Sequence, residues 1–248
     1  MISKAKVKYL KSLQLKKYRK EAQSFVIEGG KSVSELLKSD FEISLLYGTE
    51  QFLHDHESGL SRIQAEVLAV HESDLVLAGT YQTNNAALAV AKMKPNRMNE
   101  LLAGEYAVVL DDIRDPGNVG TIVRAADWYG IKNIIASEET ADFYNPKVIS
   151  ASMGSFCRMN VFYTSLPDYL SQQAKEIYGA FLDGTDVHAT NFKPEGGYIV
   201  MGNEASGISA EVGKLVNHKI TIPRYGQAES LNAGVATAII LDNLRRQM

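Results

Sequence analysis

Residues 108–131 read VVLDDIRDPGNVGTIVRAADWYGI, and this stretch decides the fold. Val108, Val109 and Leu110 form a short apolar, β-branched run suited to a buried strand. Residues 111–117 are dense in turn formers, with Asp115-Pro116-Gly117 the sharpest break. Asn118 stands where a helix N-cap belongs, and the apolar positions Val119, Ile122, Val123 and Ala126 follow at helical spacing. Gly130 closes that helix ahead of a second apolar run, Asn133–Ala136. Arg124 falls off the apolar stripe, about a turn and a half into the helix, so it faces towards whatever the loop holds.

Outward from this strand–helix–strand unit, the second half of the chain repeats the alternation. Strands are expected at 107–110, 133–136, 161–163, 177–182, 198–201 and 219–222. Such near-continuous apolar runs suit a parallel sheet covered on both faces. Four of them lead directly into glycine-bearing or polar loops: 111–120, Asp183-Gly184-Thr185-Asp186, Gly202-Asn203-Glu204-Ala205-Ser206-Gly207 and 223–230. In an open parallel sheet ligands sit beyond the carboxyl ends of the strands. Any one of these glycines alone reads as a plain turn; four loops on one edge point to a composite site. Glu204 is the only carboxylate of its loop and can accept a hydrogen bond from a ligand or pair with an arginine. Ser209 is the expected N-cap of a following helix. A further helix opens near Ser230, with Leu231, Val235, Ala238 and Ile239 as its buried stripe and Ala233, Gly234 and Ala236 unusually small.

The first half is also α/β. A basic amphipathic helix is expected over 7–20, with Val7, Leu10, Leu13 and Tyr18 on one face. Strands at 25–28, 43–47, 65–70 and 87–93 alternate with helices at 32–38 and 73–78. Composition shifts at 92–99, around Pro95 and Asn96, which places two domains at 1–97 and 98–248.

An apolar fraction of 45% and a charged fraction of 22% are those of an ordinary globular protein. No apolar run is long enough to span a membrane and no signal peptide is apparent, so a cytoplasmic location without membrane association is expected. Cys157, the single cysteine, and five scattered histidines give no disulfide framework and no metal-ligand spacing, so no metal is expected. Neither G-x-G-x-x-G after a strand nor G-x-x-x-x-G-K-[ST] is present, and no G-x-S-x-G exposes a serine. The net charge of −3 argues against indiscriminate coating of nucleic acid. Yet Lys4, Lys6, Lys8, Lys11, Lys16, Lys17, Arg19 and Lys20 all precede the first acidic residue, Glu21. That local field suits a phosphate backbone, or serves solubility alone.

Three stretches taken together carry a resemblance. Asn118-Val119-Gly120 with Arg124 and Ala125-Ala126, Met201-Gly202-Asn203-Glu204 with Gly207, and Ile222-Pro223 with Gly226 and Ser230-Leu231-Asn232 resemble the ordered motifs of the SpoU (TrmH-like) RNA 2′-O-ribose methyltransferases of the SPOUT superfamily. Lys17-Tyr18-Arg19-Lys20 and Phe25-Val26-Ile27-Glu28-Gly29 are similar to the ribosomal-protein-like substrate-binding domain of that family. The resemblance implies a C-terminal SPOUT-type parallel-sheet domain with a trefoil knot, a small N-terminal α/β substrate-binding domain, S-adenosylmethionine as cofactor and a homodimer. By motif position it implies that Gly202, Ile222, Ser230 and Leu231, with Gly184 nearby, contact the cofactor. It places Arg124, Glu204, Ser230 and Asn232 at catalytic or substrate positions, and Asn118 where the first loop is shaped. The expected substrate is RNA, ribosomal first and transfer RNA second. A non-catalytic RNA-binding module of the same fold stays open, and failure to bind S-adenosylmethionine would favour it. Methylation of a base nitrogen is disfavoured because the motifs of those relatives differ. A guanidinium is a poor base while charged, so Arg124 is expected to grip an RNA phosphate rather than abstract the ribose proton.

Overall fold

The computed structural model describes residues 1–248, which divide into two compact units, Met1–Pro95 with Tyr144–Cys157 and Asn96–Phe143 with Arg158–Met248. The sequence reading assigned 98–248 to one domain; here the chain lends 144–157 back to the first unit. Aromatic packing explains this. The Tyr144 ring lies 4.6 Å from that of Phe25, and the buried Phe156 meets Phe25 at 6.0 Å and Phe41 at 5.9 Å.

The first unit opens with two helices, α1 (Lys4–Ser12) and α2 (Lys16–Ala22), instead of the single helix expected over 7–20. Leu10 and Leu13 are fully buried, so the chain must turn to bring both inward. Arg19, only 1% exposed, secures the joint: its Nη1 donates to the carbonyls of Leu13 at 3.0 Å and Gln14 at 2.8 Å. Those are carbonyls the end of α1 leaves open, and a charged donor satisfies them. Then follow β1 (Ser24–Glu28), α3 (Gly30–Leu36), β2 (Ile43–Gly48), α4 (Glu50–Asp55), α5 (Glu57–Leu60), β3 (Glu66–Ala69), α6 (Glu72–Ala78) and β4 (Ala87–Lys92). The sheet order is β1-β4-β2-β3, with β4 antiparallel to β1 and β2, and β2 parallel to β3. Helices α4 and α5 escaped the sequence reading because six and four residues are too few to display a period.

The second unit is a six-stranded sheet in which every pairing is parallel. Its chain runs β5 (Tyr106–Asp111), α7 (Pro116–Trp128) and β6 (Asn133–Ala136), and α8 (Pro146–Ser152) lies in the returned segment, against β1. It continues through β7 (Asn160–Tyr163), α9 (Leu166–Leu170), β8 (Glu176–Asp186), β9 (Gly197–Gly202), α10 (Ala210–Gly213), β10 (His218–Thr221) and α11 (Ala233–Arg245). The order is β10-β8-β9-β5-β6-β7. The central strands β5 and β9 are buried almost throughout, which is why they read as continuous apolar runs. No helix is long and apolar enough to cross a membrane.

Three local expectations are corrected. The N-cap of α7 is Asp115, whose Oδ1 accepts from the Asn118 backbone N–H at 2.8 Å, with Pro116 at the first helical position. That releases the Asn118 side chain for other bonds. The last helix begins at Ala233 under an Asn232 cap, so its buried stripe is Ala233, Gly234, Thr237, Ile240, Leu241 and Leu244. Leu231 and Val235, expected inside, are each 47% exposed. Finally, β8 runs on through Asp183–Asp186, which the sequence assigned to a loop, because its end pairs again with β10.

Candidate active site at the carboxyl edge of the parallel sheet

Strands β5 and β9 lie side by side, in register from Tyr106 against Gly197 to Asp111 against Gly202, so the loops that follow them emerge together. The β9 loop folds back at once: Asn203 and Gly207 form an isolated bridge with reciprocal backbone bonds of 3.0 and 2.9 Å. Gly202 has to be glycine here, since a Cβ would stand 2.2 Å from the backbone of Gly207 and Ile208. Asn203 Oδ1 accepts from the backbone N–H groups of Ala205 and Ser206, and its Nδ2 donates to the Asp112 carbonyl at 2.7 Å. Asp112 has φ +59°, a left-handed conformation that few residues other than glycine adopt and that Asp and Asn tolerate better than most. It is held there by the Ser137 hydroxyl, which accepts its N–H, and by Asn203. The Asp111 carboxylate, buried, accepts from the Ser209 N–H at 2.7 Å. Asp111 and Asp112 were not singled out from the sequence, and Asn203 only as a motif residue without a role; no spacing rule links positions about ninety residues apart that meet only when two strands align.

On this frame three of the expected residues meet. Asn118 Nδ2 donates to Glu204 Oε1 at 2.5 Å, and Asn232 Nδ2 donates to Asn118 Oδ1 at 2.6 Å. Asn232 Oδ1 in turn accepts from the Gly234 and Val235 N–H groups at 3.0 and 3.3 Å. A chain of aligned amides thus runs from the N-terminus of α11 to a carboxylate, each member polarising the next. Its sequence separations are 86 and 114 residues. Glu204 is pinned through one oxygen while Oε2 stays open to a ligand.

Beside this chain lies a cavity of about 600 Å³, lined by residues of β8, of the β9 and β10 loops and of α11. Gly202, Glu204, Ile222, Ser230 and Leu231 all line it. One wall arises from a register shift: Gly179 pairs with Lys219, but the next pair is Thr185 with Ile220, so 180–183 swing out over the cavity. Gly184 closes that excursion. A Cβ there would lie 2.7 Å from the Lys219 carbonyl oxygen, so its missing side chain admits the β10 backbone. Gly184 follows Asp183, the last of these lining residues, and is not itself among the residues that line the cavity.

Arg124 stands apart from the cluster. It sits six residues, about one and two-thirds turns, beyond Asn118 on the outward face of α7, exposed, with no hydrogen bond or ion pair, in line with Thr121 and the 84%-exposed Trp128. Arg114, also at the mouth of the β5 loop, is bound to Asp112 at 2.7 Å, and that carboxylate holds the guanidinium above its ordinary value.

The cavity falls within the size range of small-molecule sites, about 300–1,000 Å³. Its apolar walls (Leu182, Ile222, Leu231) and polar rim (Asp183, Glu204, Ser230) fit a ligand with one flat apolar end and one charged end, as S-adenosylmethionine has. Residues 105–242 match the SpoU rRNA Methylase family, and residues 4–89 match the MRM3-like substrate binding domain. The chain is 31% identical over 245 residues to the 23S rRNA (guanosine(2553)-2′-O)-methyltransferase RlmP of Bacillus subtilis, covering 97% of this chain and 96% of that one. Among solved structures it is similar to a TrmH-family protein from Porphyromonas gingivalis (35% identity, TM-score 0.86, all of both chains). It is also similar to an S-adenosylmethionine-bound rRNA methyltransferase from Sinorhizobium meliloti (29%, TM-score 0.88, 98% and 94% of the chains). The chain belongs to the SpoU rRNA methylase family.

Proposed function

We propose that this protein transfers a methyl group from S-adenosylmethionine to a ribose 2′-hydroxyl of ribosomal RNA. The observation that carries the reading is the amide chain Asn232–Asn118–Glu204 set against a cavity of cofactor size. The cofactor, when bound, supplies a methyl already activated by its sulfonium. Gly202, Ile222 and Leu231 hold it by backbone and apolar contact, with Ser230 offering a hydroxyl at the rim. Asn118 and Asn232 fix Glu204, whose open Oε2 accepts a hydrogen bond from the incoming nucleotide. Arg124, without a partner in its own chain, grips an RNA phosphate bidentately and aligns the ribose; the hydroxyl proton leaves to that phosphate or to water.

Arg124 does not line the cavity, which fits a homodimer in which α7 of one copy faces the site of the other. The exposed apolar residues Trp128, Leu231 and Val235 on α7 and at the start of α11 supply a surface for it. In the same reading the C-terminal segment is knotted and the protein acts in the cytoplasm. Mapping 2′-O-methylated nucleotides in cells with and without the gene tests the reading. Loss of one ribosomal mark is expected; an unchanged ribosomal map with a lost transfer-RNA mark moves the substrate, and unchanged maps of both overturn the activity.

A further inference from the structure

The first 20 residues carry eight of the 26 lysines and arginines and none of the 29 aspartates and glutamates. The structure sorts these eight cations. Arg19 is buried in the joint between α1 and α2, and Lys6 is paired with Glu66 at 2.6 Å. The other six, Lys4, Lys8, Lys11, Lys16, Lys17 and Lys20, are exposed and make no ion pair. Lys4, Lys8 and Lys11 repeat at i, i+4 and i+7 along one outer face of α1, and Lys16 and Lys20 repeat at i and i+4 on α2.

This arrangement works against helix stability. Like charges at i, i+4 repel, and lysines in the first turns of both helices, with no acidic residue there, oppose the helix dipole. Solubility alone would be served as well by acidic residues. The apolar side chains of the two helices already pack inward, since Leu10 of α1 lies in the core of the first unit beside Ile2 and Leu13, with Val7 of α1 and Ala22 of α2 packed against it, so the helices have no free apolar stripe to enter a lipid surface. What remains outside is charge interleaved with two partly exposed aromatic rings, Tyr9 and Tyr18, and one exposed aliphatic side chain, Leu15, between the helices. Lysine acts as a point charge towards phosphate, and exposed rings accept stacked bases.

We infer that the outer face of α1 and α2 is a phosphate-binding surface for structured RNA, with Arg19 holding the two helices at a fixed angle. This rests on the proposed RNA substrate and names which part of the first unit meets it. The surface tracks the sugar–phosphate backbone without reading sequence, so it contributes affinity and leaves the choice of nucleotide to the site on the second unit.

The test compares the full-length protein with a Lys8→Gln/Lys11→Gln/Lys17→Gln/Lys20→Gln variant and with a charge-matched Lys132→Gln/Lys147→Gln/Lys193→Gln/Lys214→Gln control. The probe is a 20-base-pair RNA hairpin, with no cofactor present, titrated at several salt concentrations. The α1–α2 variant is expected to lose about ten- to a hundred-fold in affinity at 0.1 M salt, and its salt slope to fall by about 3, with the control unchanged. Equal loss in both variants, or in neither, overturns the inference. So does loss of binding to vesicles containing 30% phosphatidylglycerol with RNA binding intact, which would assign the face to membranes. Calorimetry with S-adenosylmethionine runs separately: if the wild type binds the hairpin through these lysines but not the cofactor, the methyl-transfer reading fails and the surface stands.

Discussion

Arg19 and Arg124 are both helical arginines, and the fold uses them in opposite ways. Arg19 is buried, bonded to two backbone carbonyls, and joins α1 to α2. Arg124 is exposed on α7 and bonded to nothing in its own chain. The same contrast runs through the two units. In the first, buried polar groups such as Arg19, Glu28 and Asn84 bond mostly to backbone, as when Glu28 accepts from the Thr80 and Tyr81 N–H groups. The carboxyl edge of the second has such bonds too, but there Asn118, Glu204 and Asn232 also bond side chain to side chain across 86 and 114 residues. Backbone bonds hold a fold together; a chain of side-chain bonds at an open edge sets the position of a functional group.

If that contrast is right, substitutions on the two sides separate activity from stability. The largest effect is expected for Arg124→Ala, with kcat/KM for RNA falling roughly 10²–10³-fold and the melting temperature unchanged. Arg124→Lys should keep substantial turnover with weaker RNA binding, because a point charge still meets a phosphate; unchanged methylation in Arg124→Ala would remove the residue from the mechanism. Next, Asn118→Ala leaves Glu204 and Asn232 each without its partner, and kcat should drop about 10²-fold as the carboxylate loses its position. On the other side, Arg19→Met exposes no new surface but leaves two carbonyls unsatisfied. About 2–3 kcal/mol of stability should go, some 5–10 °C in melting temperature, with cofactor affinity intact by calorimetry.

Gly184→Ala sharpens the boundary between the two roles. Its Cβ would collide with the Lys219 carbonyl, so about 1–3 kcal/mol of destabilisation is expected in urea unfolding. Cofactor affinity lost at unchanged stability would instead restore Gly184 to the binding site. The smallest effect is alkaline. Burial, with the hydrogen bond to Glu66 second, pushes Tyr47 of the first unit up to about 12. In the second unit burial raises Tyr106, Tyr169, Tyr178 and Tyr198. A folded-state value above the unfolded value of about 10 gives stability that is complete below pH 10 and lost as pH rises beyond it. The fall in urea midpoint between pH 9 and 11 should flatten more in Tyr106→Phe/Tyr198→Phe than in Tyr47→Phe.

The sheet of the second unit was legible because β5, β6 and β9 are buried on both faces and read as apolar runs, and Gly130 marks the end of α7 by its φ of +68°. Two things were not legible. Helix starts were misplaced by about three residues: Asn118 was taken as the cap in place of Asp115, without changing the buried stripe of α7, and α11 was opened near Ser230 in place of Ala233, which put Leu231 and Val235 on its expected buried stripe. Long-range pairing left no local trace, so the latch of Asn203 on Asp112 and the return of Phe156 to Phe25 appear only in three dimensions. The residues Asn118, Glu204 and Asn232 were picked out by motif, but their mutual hydrogen bonds, and the separation of Arg124 from them, come from the fold.

The central claim is methyl transfer to a ribose hydroxyl by the edge that Asn118 organises. The most direct test incubates the protein with methyl-labelled S-adenosylmethionine and deproteinised ribosomal RNA from cells lacking the gene, then digests the RNA to nucleosides. Label is expected in a single 2′-O-methylnucleoside, reduced about 10²-fold with Asn118→Ala. Label on a base nitrogen, or transfer undiminished in that variant, would contradict the account.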